Sequence, residues 1–299
     1  MLQFLSTIIS GLGLGSIYAL IAIGYTMVYG IAKMLNFAHG DVIMVGAYAL
    51  FVCASSGSVN QLGLPAFVAI PIAVVICALL GVIIEFLAYR PLRGKQPLAV
   101  LITAIGVSYA LQSIVLIVFG SDRKPFPDLI NVGDIKLLGG ELTLKGTTIM
   151  TLIVTAILMV CLTLFINKTK MGKAMRAVSE DRGAAELMGI SVNKTISVTF
   201  AIGSALAAVA GMFYGMTYTY INPYTGSMPG IKAFVAAVFG GIGSLPGAML
   251  GGVLMGIIES LASTYISGQL ANAIVFGVLI IVLLVKPTGL LGKKINEKV

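Results

Sequence analysis

The sequence predicts an all-α protein, a polytopic transmembrane bundle of about eight to nine helices forming a single transmembrane domain over residues 1–299. Hydrophobic residues make up 58% of the chain and charged residues only 10%, whereas charged residues are about a quarter of a soluble domain. The mean hydropathy of +1.04 agrees with this balance. Apolar runs of membrane-crossing length alternate with short polar stretches along the chain. The 36 glycines suit a tight bundle, because glycine lets membrane helices approach closely.

The apolar runs follow in order from the N-terminus, with prolines, glycines and charged residues between them. They cover residues 5–29, 42–53, 64–89, 98–119, 147–166, 195–220, 232–241, 248–266 and 271–285. Residues 42–53 and 232–241 are short for a complete crossing of the hydrocarbon layer. Residues 221–231 contain two prolines and are expected to form a turn-rich loop.

Stripes of small residues mark two of these runs as packing helices. Gly11 and Gly15 lie four residues apart in the first run. The run 195–220 carries a longer stripe, formed by Gly203, Ala207, Gly211 and Gly215. Small side chains permit close backbone contact, so both stripes are expected to lie against neighbouring helices.

Loop charges predict the orientation in the membrane. The formal net charge is +8, and the positive residues concentrate in residues 90–95, residues 168–194 and the C-terminal tail. Lysine and arginine accumulate in cytoplasmic loops, so these three segments are placed in the cytoplasm. The loop 121–146 holds four acidic and four basic residues and is placed outside. The basic charge is not a nucleic-acid signature, because no dense basic patch with interleaved aromatic residues is present.

The two halves of the chain contain an internal echo. In the first half, Leu64-Pro65 is followed by residues 81–85, which read GVIIE and end at Glu85. In the second half, Leu245-Pro246 is followed by residues 256–259, which read GIIE and end at Glu259. The predicted orientation puts the two Leu-Pro pairs on opposite membrane faces. An inverted internal repeat, a common plan in transporters, would produce this arrangement.

Residues 171–193 are the longest polar interruption in the second half of the chain. Apolar residues recur at helical spacing from Met171 to Val178, which predicts one short amphipathic helix. Ser179 or Asp181 can cap a second short helix, and Gly189 stands where a left-handed residue would end it. A basic pair of helices between spans fits a docking element for a cytoplasmic partner or an interfacial loop on anionic lipid. Spacing alone leaves both interpretations open.

Four ionisable residues lie in or beside apolar runs and are candidates for a pathway or a structural role. Glu85 lies about one turn from Arg90, which favours a carboxylate paired or hydrated at a helix end. Glu259 is deeper, and an interhelical contact and a pathway role remain equally open. His39 and Asp41 could relay a proton, but a helix N-terminus, with Asp41 bonded to free backbone amides and His39 to a neighbouring helix, is the favoured interpretation.

Nothing in the sequence points to an enzyme, a metal or a cofactor. The single histidine excludes a cluster of histidine ligands, and no nucleophile, base and acid stand in a catalytic order. A phosphate-binding Walker A sequence is also missing, so the chain is not expected to hydrolyse ATP itself.

Three stretches resemble one family, the permeases of branched-chain amino-acid ABC importers of the LivH type. They are residues 172–190 (GKAMRAVSEDRGAAELMGI), residues 35–41 (LNFAHGD) and residues 239–248 (FGGIGSLPGA). They occur in order over most of the chain. Gly183-Ala184-Ala185 replaces the Glu-Ala-Ala opening of many importer permeases, while Gly189 keeps the expected distance.

The resemblance implies a permease subunit in the bacterial inner membrane that forms the translocation pathway with a second, related permease. It also implies two ATPase subunits that hydrolyse ATP and an extracytoplasmic substrate-binding protein. Docking is then favoured over lipid for the coupling loop 167–194. The residues expected to couple to the ATPase are Gly172, Arg176, Asp181, Ala184, Ala185, Glu186 and Gly189. Ala184 and Ala185 are small, as a surface entering a partner's groove would need to be.

Two alternatives to a branched-chain amino-acid importer stay open at this point. Permeases for urea or short-chain amides are very similar, so the resemblance indicates the type of transporter more specifically than it indicates the substrate. A secondary transporter driven by an ion gradient is disfavoured, because it needs no ATPase dock and usually carries several buried acids.

Overall fold

The computed structural model describes residues 2–55, 61–130, 133–137 and 142–292. These residues form eleven α-helices: α1 (Leu2–Ala32), α2 (His39–Ala54), α3 (Ala66–Ile84), α4 (Pro97–Phe119), α5 (Gly146–Lys168), α6 (Lys170–Glu180), α7 (Arg182–Leu187), α8 (Val192–Tyr218), α9 (Ser227–Gly240), α10 (Leu245–Tyr265) and α11 (Ala271–Val285). The only strands in the described part are four short ones: β1 (Lys124–Pro125), β2 (Ile135–Leu137), β3 (Leu142–Leu144) and β4 (Tyr220–Ile221). The pairs β1–β4 and β2–β3 are both antiparallel. The predicted helical fold is confirmed.

Six helices of the described residues are long and apolar enough to cross a membrane: α1, α3 with the turns that follow it, α4, α5, α8 and α10. Three shorter apolar helices, α2, α9 and α11, occupy the remaining predicted runs. The prediction of a polytopic membrane protein is confirmed. The helices α4 and α5 expose many apolar side chains, as expected for surfaces that face lipid, whereas α1 and α8 are largely buried.

Two helices begin earlier than the sequence predicted. The helix α9 begins at Ser227, within the stretch expected to be a loop, and Pro229 lies in its first turn. The helix α10 begins at Leu245, where the Ser244 hydroxyl accepts a hydrogen bond from the Gly247 amide at 3.2 Å. Proline interrupts a helix interior but is tolerated in the first turn, where its missing N–H is not needed. The two prolines therefore start helices instead of breaking them.

The helix α3 does not end as a regular α-helix. Residues Glu85–Tyr89 form a π-helical turn, and Arg90–Leu92 form a 3₁₀ turn. A π turn adds one residue to the helical repeat and rotates the side chains that follow it.

The contacts divide the chain into two compact units. The first contains Met1–Thr26, Val132–Leu162 and Lys232–Val299, and the second contains Met27–Asn131 and Thr163–Ile231. Neither is a continuous stretch of chain, since the boundaries fall within α1, α5 and α9 or in the loop after β1. The single domain predicted over residues 1–299 stays a prediction.

In the first unit, the predicted small-residue face of α1 packs on α10. A Cβ atom at Gly11 would lie 2.8 Å from the Cα atom of Ile257, and one at Gly15 would lie 2.8 Å from that of Val253. These backbones are too close for a side chain between them. The packing role predicted for Gly11 and Gly15 is therefore confirmed.

In the second unit, α2, α3 and α8 form the core. A Cβ atom at Gly211 of α8 would overlap the carbonyl oxygen of Ile43 in α2. Gly203 and Ala207 are also buried, so this stretch of the predicted stripe faces a helix. Gly215 differs, because its nearest neighbour is the ring of Phe126 in the loop after α4. The stripe thus ends against a loop and not against a helix.

Candidate functional site

The basic segment between α5 and α8 forms two short helices, each with a side-chain cap. The Thr169 hydroxyl accepts a hydrogen bond from the Gly172 amide at 3.0 Å and starts α6. The Asp181 carboxylate accepts one from the Ala184 amide at 3.0 Å and starts α7. Ser179, the other candidate cap, instead donates to the Arg176 carbonyl within α6. The caps fix where each helix begins, because they satisfy amides that lack an intrahelical partner.

The helix α6 is anchored by one buried face. Met175 and Val178 are buried on it, and α6 packs against α7 and α8. A Cβ atom at Gly172 would overlap the backbone of Phe165 and Ile166 at the end of α5. Glycine at position 172 therefore lets the chain turn back tightly from α5 into α6.

The exit from α7 has the geometry of a Schellman motif. Gly189 has a φ of 78°, its amide donates to the Glu186 carbonyl at 2.9 Å, and the Ile190 amide donates to the Ala185 carbonyl at 2.9 Å. This pair of hydrogen bonds requires a left-handed residue after the helix, which glycine adopts without strain. The predicted left-handed role of Gly189 is confirmed.

Two large apolar side chains project from the end of α7. Leu187 is 90% exposed and Met188 is 81% exposed. Ala184 and Glu186 are exposed beside them, and Arg176 is exposed on α6. We call Ala184, Glu186, Leu187 and Met188 the α7 tip. Two adjacent, exposed apolar side chains on a polar segment between membrane-crossing helices are typical of a surface that contacts another protein or a membrane.

The expectation that Ala185 lies on this surface is wrong. Its side chain is only 3% exposed, because it occupies the face of α7 that packs against the rest of the second unit. Sequence spacing showed that small residues cluster here but not which face each one occupies. Leu187 and Met188 were not singled out from the sequence, yet they are 90% and 81% exposed.

Glu85 lies in a buried polar network at the base of α3 and α8. Its side chain is 0% exposed, and its carboxylate pairs with Arg93 and accepts a hydrogen bond from Ser197. Arg93 also donates to Asn193 in the first turn of α8. The sequence favours a paired or hydrated carboxylate at a helix end, with Arg90 about one turn away. The partner is instead Arg93, the extended residue that follows the π-helical and 3₁₀ turns after α3.

Burial and neighbouring charges together lower the pKa of Arg93 from its ordinary value. Burial lowers the pKa of its guanidinium, the Glu85 carboxylate raises that pKa, and the charges of Arg182 and Arg90 lower it again. Arg182 is the first residue of α7. The guanidinium of Arg182 itself donates a hydrogen bond to the carbonyl of Ala32, the last residue of α1.

A buried polar cluster surrounds Asp41 in the second unit. Gln112 of α4 donates from Nε2 to the Asp41 carboxylate at 2.8 Å, and the same nitrogen lies 3.2 Å from Ser227 Oγ and 3.3 Å from Ser108 Oγ, either of which can accept its second hydrogen. His39, the first residue of α2, is also buried. Asp41 thus joins α2 to α4 through a side-chain amide. Gln112 was missed, because a single neutral amide in an apolar run carries no strong sequence signal.

Glu259 belongs to a separate polar cluster in the first unit. Its Oε1 atom lies 2.6 Å from Nζ of Lys232, and its Oε2 atom accepts a hydrogen bond from the Tyr18 hydroxyl at 3.0 Å. The lysine nitrogen lies 5.7 Å from the centre of the Tyr18 ring. The three residues come from α9, α10 and α1, so Glu259 makes an interhelical contact. The pathway role remains a separate prediction.

The described residues contain no group of three or more histidine, cysteine, aspartate or glutamate side chains that could hold a metal ion. The residues singled out from the sequence form three separate clusters: the α6–α7 pair with Glu85 and Arg93, the Asp41 cluster and the Glu259 cluster. The first is the candidate functional site, because it combines an exposed apolar tip with charged contacts to the ends of membrane helices.

Comparison with known proteins gives a consistent result. Residues 7–284 match the family described as branched-chain amino acid transport system, permease component. The chain is 46% identical over 308 residues to the high-affinity branched-chain amino acid transport system permease protein BraD of Pseudomonas aeruginosa, covering 99% of this chain and 98% of the relative. It is 47% identical over 310 residues to the permease protein LivH of Escherichia coli, covering 100% and 98%.

A more distant likeness covers part of the chain. The probable permease protein LivH of Methanocaldococcus jannaschii is 30% identical over 199 residues, 64% of this chain and 59% of the relative. No solved structure matches.

Proposed function

The chain belongs to the family of branched-chain amino acid transport system permeases, and we propose that it is the membrane-spanning subunit of an ATP-driven importer of branched-chain amino acids. The observation that carries the proposal is identity of 46–47% over nearly the full length of permeases named for that transport. Such permeases are transport proteins of the inner membrane and not enzymes, and this chain is a multi-pass protein of the same kind. ATP hydrolysis is then the work of separate subunits.

The proposed ATPase dock is the α7 tip. Leu187 and Met188 are 90% and 81% exposed, and a partner that covers them would gain the free energy of removing apolar surface from water. The caps at Thr169 and Asp181 and the Schellman motif at Gly189 hold the two helices in a fixed shape. A rigid element can transmit a push, whereas a flexible loop would absorb it. Arg176, Asp181, Ala184 and Glu186 complete the proposed coupling surface, while Gly172, Ala185 and Gly189 shape it from within.

The remaining partners follow from the type of machine. A second, related permease would complete the translocation pathway, two ATPase subunits would bind on the cytoplasmic side, and a substrate-binding protein would deliver the amino acid outside. The orientation proposed for this arrangement puts residues 168–194 in the cytoplasm and the loop 121–146 outside. The loop charges support that orientation.

Uptake measurements test the substrate and the energy source together. A strain that lacks the gene should lose high-affinity uptake of labelled leucine, and the plasmid-borne gene should restore it. Unlabelled isoleucine and valine should compete, and labelled urea should not be accumulated. Collapse of the proton gradient at constant ATP should leave leucine uptake intact. Restored urea uptake without leucine uptake would make the substrate assignment wrong, and loss of uptake with the gradient would make the ATP-driven assignment wrong.

A further inference from the structure

The end of α1 is held by a side chain from the proposed docking element. Helix α1 ends at Ala32, and the last carbonyl groups of a helix have no intrahelical partner. The Arg182 guanidinium donates to the Ala32 carbonyl, which places a positive charge at the negative end of the helix dipole. Arg182 is also the first residue of α7, directly after the Asp181 cap. One residue therefore joins α7 to the end of α1.

The chain beyond this contact is an unwound break between α1 and α2. Lys33 has a φ of 53°, a left-handed conformation that is uncommon for a residue with a side chain. Residues 33–36 are neither helix nor strand, and α2 starts at His39. Such backbone states are kept only where surrounding contacts enforce them, and they occur at switch regions. The break leads directly to Asp41 and its hydrogen bond to Gln112.

A second contact to the same break comes from the π-helical turn that follows α3. The hydroxyl of Tyr89, a residue that is 0% exposed, donates to Asn36 Oδ1 at 2.9 Å, and its oxygen lies 3.3 Å from the Leu35 carbonyl oxygen. Tyr89 ends the π-helical turn that begins at Glu85. Glu85 pairs with Arg93, which contacts Asn193 at the start of α8. The break is thus tied to the junction between α6 and α7 through Arg182, and to the start of α8 through Glu85 and Arg93.

We propose that Arg182 is the positioning residue through which movement of α7 reaches the α1–α2 break, with Tyr89 as the second tie. This inference rests on the proposed function, since it names the route by which ATPase closure would act on the membrane helices. A push on the α7 tip moves Arg182, Arg182 carries the last turn of α1 with it, and the break changes its backbone conformation. Arg182 acts through α1, and the α7 tip supplies the contact with the ATPase.

The test separates transmission from docking and from folding. The complete transporter with its ATPase is purified and reconstituted into liposomes with the binding protein in excess, and leucine uptake is measured per ATP hydrolysed. The variants are Arg182→Ala, Arg182→Lys and Tyr89→Phe. Lys95→Ala is the matched control, because it removes an exposed positive charge from the loop after α3 without touching the break. Lysine can still donate to the Ala32 carbonyl, whereas alanine cannot.

Arg182→Ala should keep ATPase co-purification and lower uptake per ATP by roughly tenfold, a usual size for coupling between two sites. Arg182→Lys should recover most of the loss, Tyr89→Phe should lower the ratio, and Lys95→Ala should match the wild type. The double variant Arg182→Ala/Tyr89→Phe should lose less than the product of the two single effects, because both act on one break.

Three results would overturn the inference: an unchanged uptake ratio in Arg182→Ala, no rescue by Arg182→Lys, or loss of ATPase co-purification in Arg182→Ala, which would make Arg182 part of the dock. A wild-type protein that binds no ATPase would instead overturn the proposed function, so the two failures are distinguishable.

Discussion

Lys232 of α9 and Glu259 of α10 form an ion pair with 2.6 Å between Nζ and Oε1. The side chains are 9% and 14% exposed, and the Tyr18 hydroxyl donates to the second carboxylate oxygen. Two opposite charges inside a largely apolar bundle are stable only together, because each alone would keep its full desolvation penalty. The pair therefore fixes where the short helix α9 lies along α10.

Replacing one member of this ion pair should lower the free energy of unfolding far more than replacing both members together. Glu259→Gln or Lys232→Met should destabilise the detergent-purified protein by about 3–5 kcal/mol, because one buried charge is left without its partner. The double variant Lys232→Met/Glu259→Gln should recover much of the loss. Thermal unfolding followed by size-exclusion chromatography measures all three. Glu180→Gln, at an exposed carboxylate, serves as the control, and equal stability of single and double variants would contradict the argument.

The contact between Gly211 and Ile43 makes a prediction about helix packing. Gly211→Ala should destabilise the protein by about 1–3 kcal/mol, because the added Cβ would overlap the Ile43 carbonyl and push α8 away from α2. Gly106→Ala is the matched control in α4, since a Cβ there meets no atom within 4 Å. That control should be neutral or stabilising by roughly 0.4–1 kcal/mol. Similar melting temperatures for the two variants would show that α2 and α8 are not packed this closely.

The conformation of Gly189 predicts which replacements the loop tolerates. Valine should be poorly accepted, because a left-handed residue with a Cβ costs roughly 1–2 kcal/mol and a branched side chain adds crowding. Asparagine visits this conformation more readily and should be milder. Limited proteolysis of the purified protein should therefore cleave near residue 189 faster in Gly189→Val than in Gly189→Asn. Equal cleavage of both variants would argue against the Schellman exit.

Topology is tested with single cysteines in a variant whose three native cysteines are replaced by alanine. A cysteine at Asp128, exposed in the loop after α4, should react with an impermeant thiol reagent on intact cells. A cysteine at Lys173 should react only after the cells are opened. The reverse pattern would invert the orientation. Asn131, another natural choice in this loop, lies outside the described residues.

The apolar runs and the cap residues predicted much of the fold. The apolar runs located the membrane helices. The left-handed conformation of Gly189 was predicted from its place at the end of a helix. Both succeeded because an apolar run and a helix cap depend only on residues that are close in sequence. Helix starts at Ser227 and Leu245 were missed, since proline was interpreted as a break and not as a first-turn residue. The small strands were missed because two or three residues give no alternating pattern.

The side-chain partners could not be predicted in the same way. Glu259 meets Tyr18, which is 241 residues away in sequence, and Asp41 meets Gln112, which is 71 residues away. No local pattern encodes such pairs. Glu85 shows a subtler limit: its partner Arg93 is near in sequence, but irregular π-helical and 3₁₀ turns lie between them, and regular helical spacing does not describe that stretch. The burial of Ala185 depends likewise on which side of α7 packs inward.

The most direct test of the ATPase dock uses Leu187, which is 90% exposed and is the more exposed of the two large apolar residues in the α7 tip. Leu187→Arg should leave membrane insertion and thermal stability unchanged, because the side chain contacts little of its own chain. Loss of a central apolar contact typically costs roughly 2 kcal/mol or more, about a 30-fold weaker affinity, so the ATPase should no longer co-purify and leucine uptake should stop. Leu62→Arg is the matched control, at an exposed leucine between α2 and α3 on the predicted outer side. If Leu187→Arg keeps both ATPase co-purification and leucine uptake while Leu62→Arg behaves as the wild type, the α7 tip is not the dock.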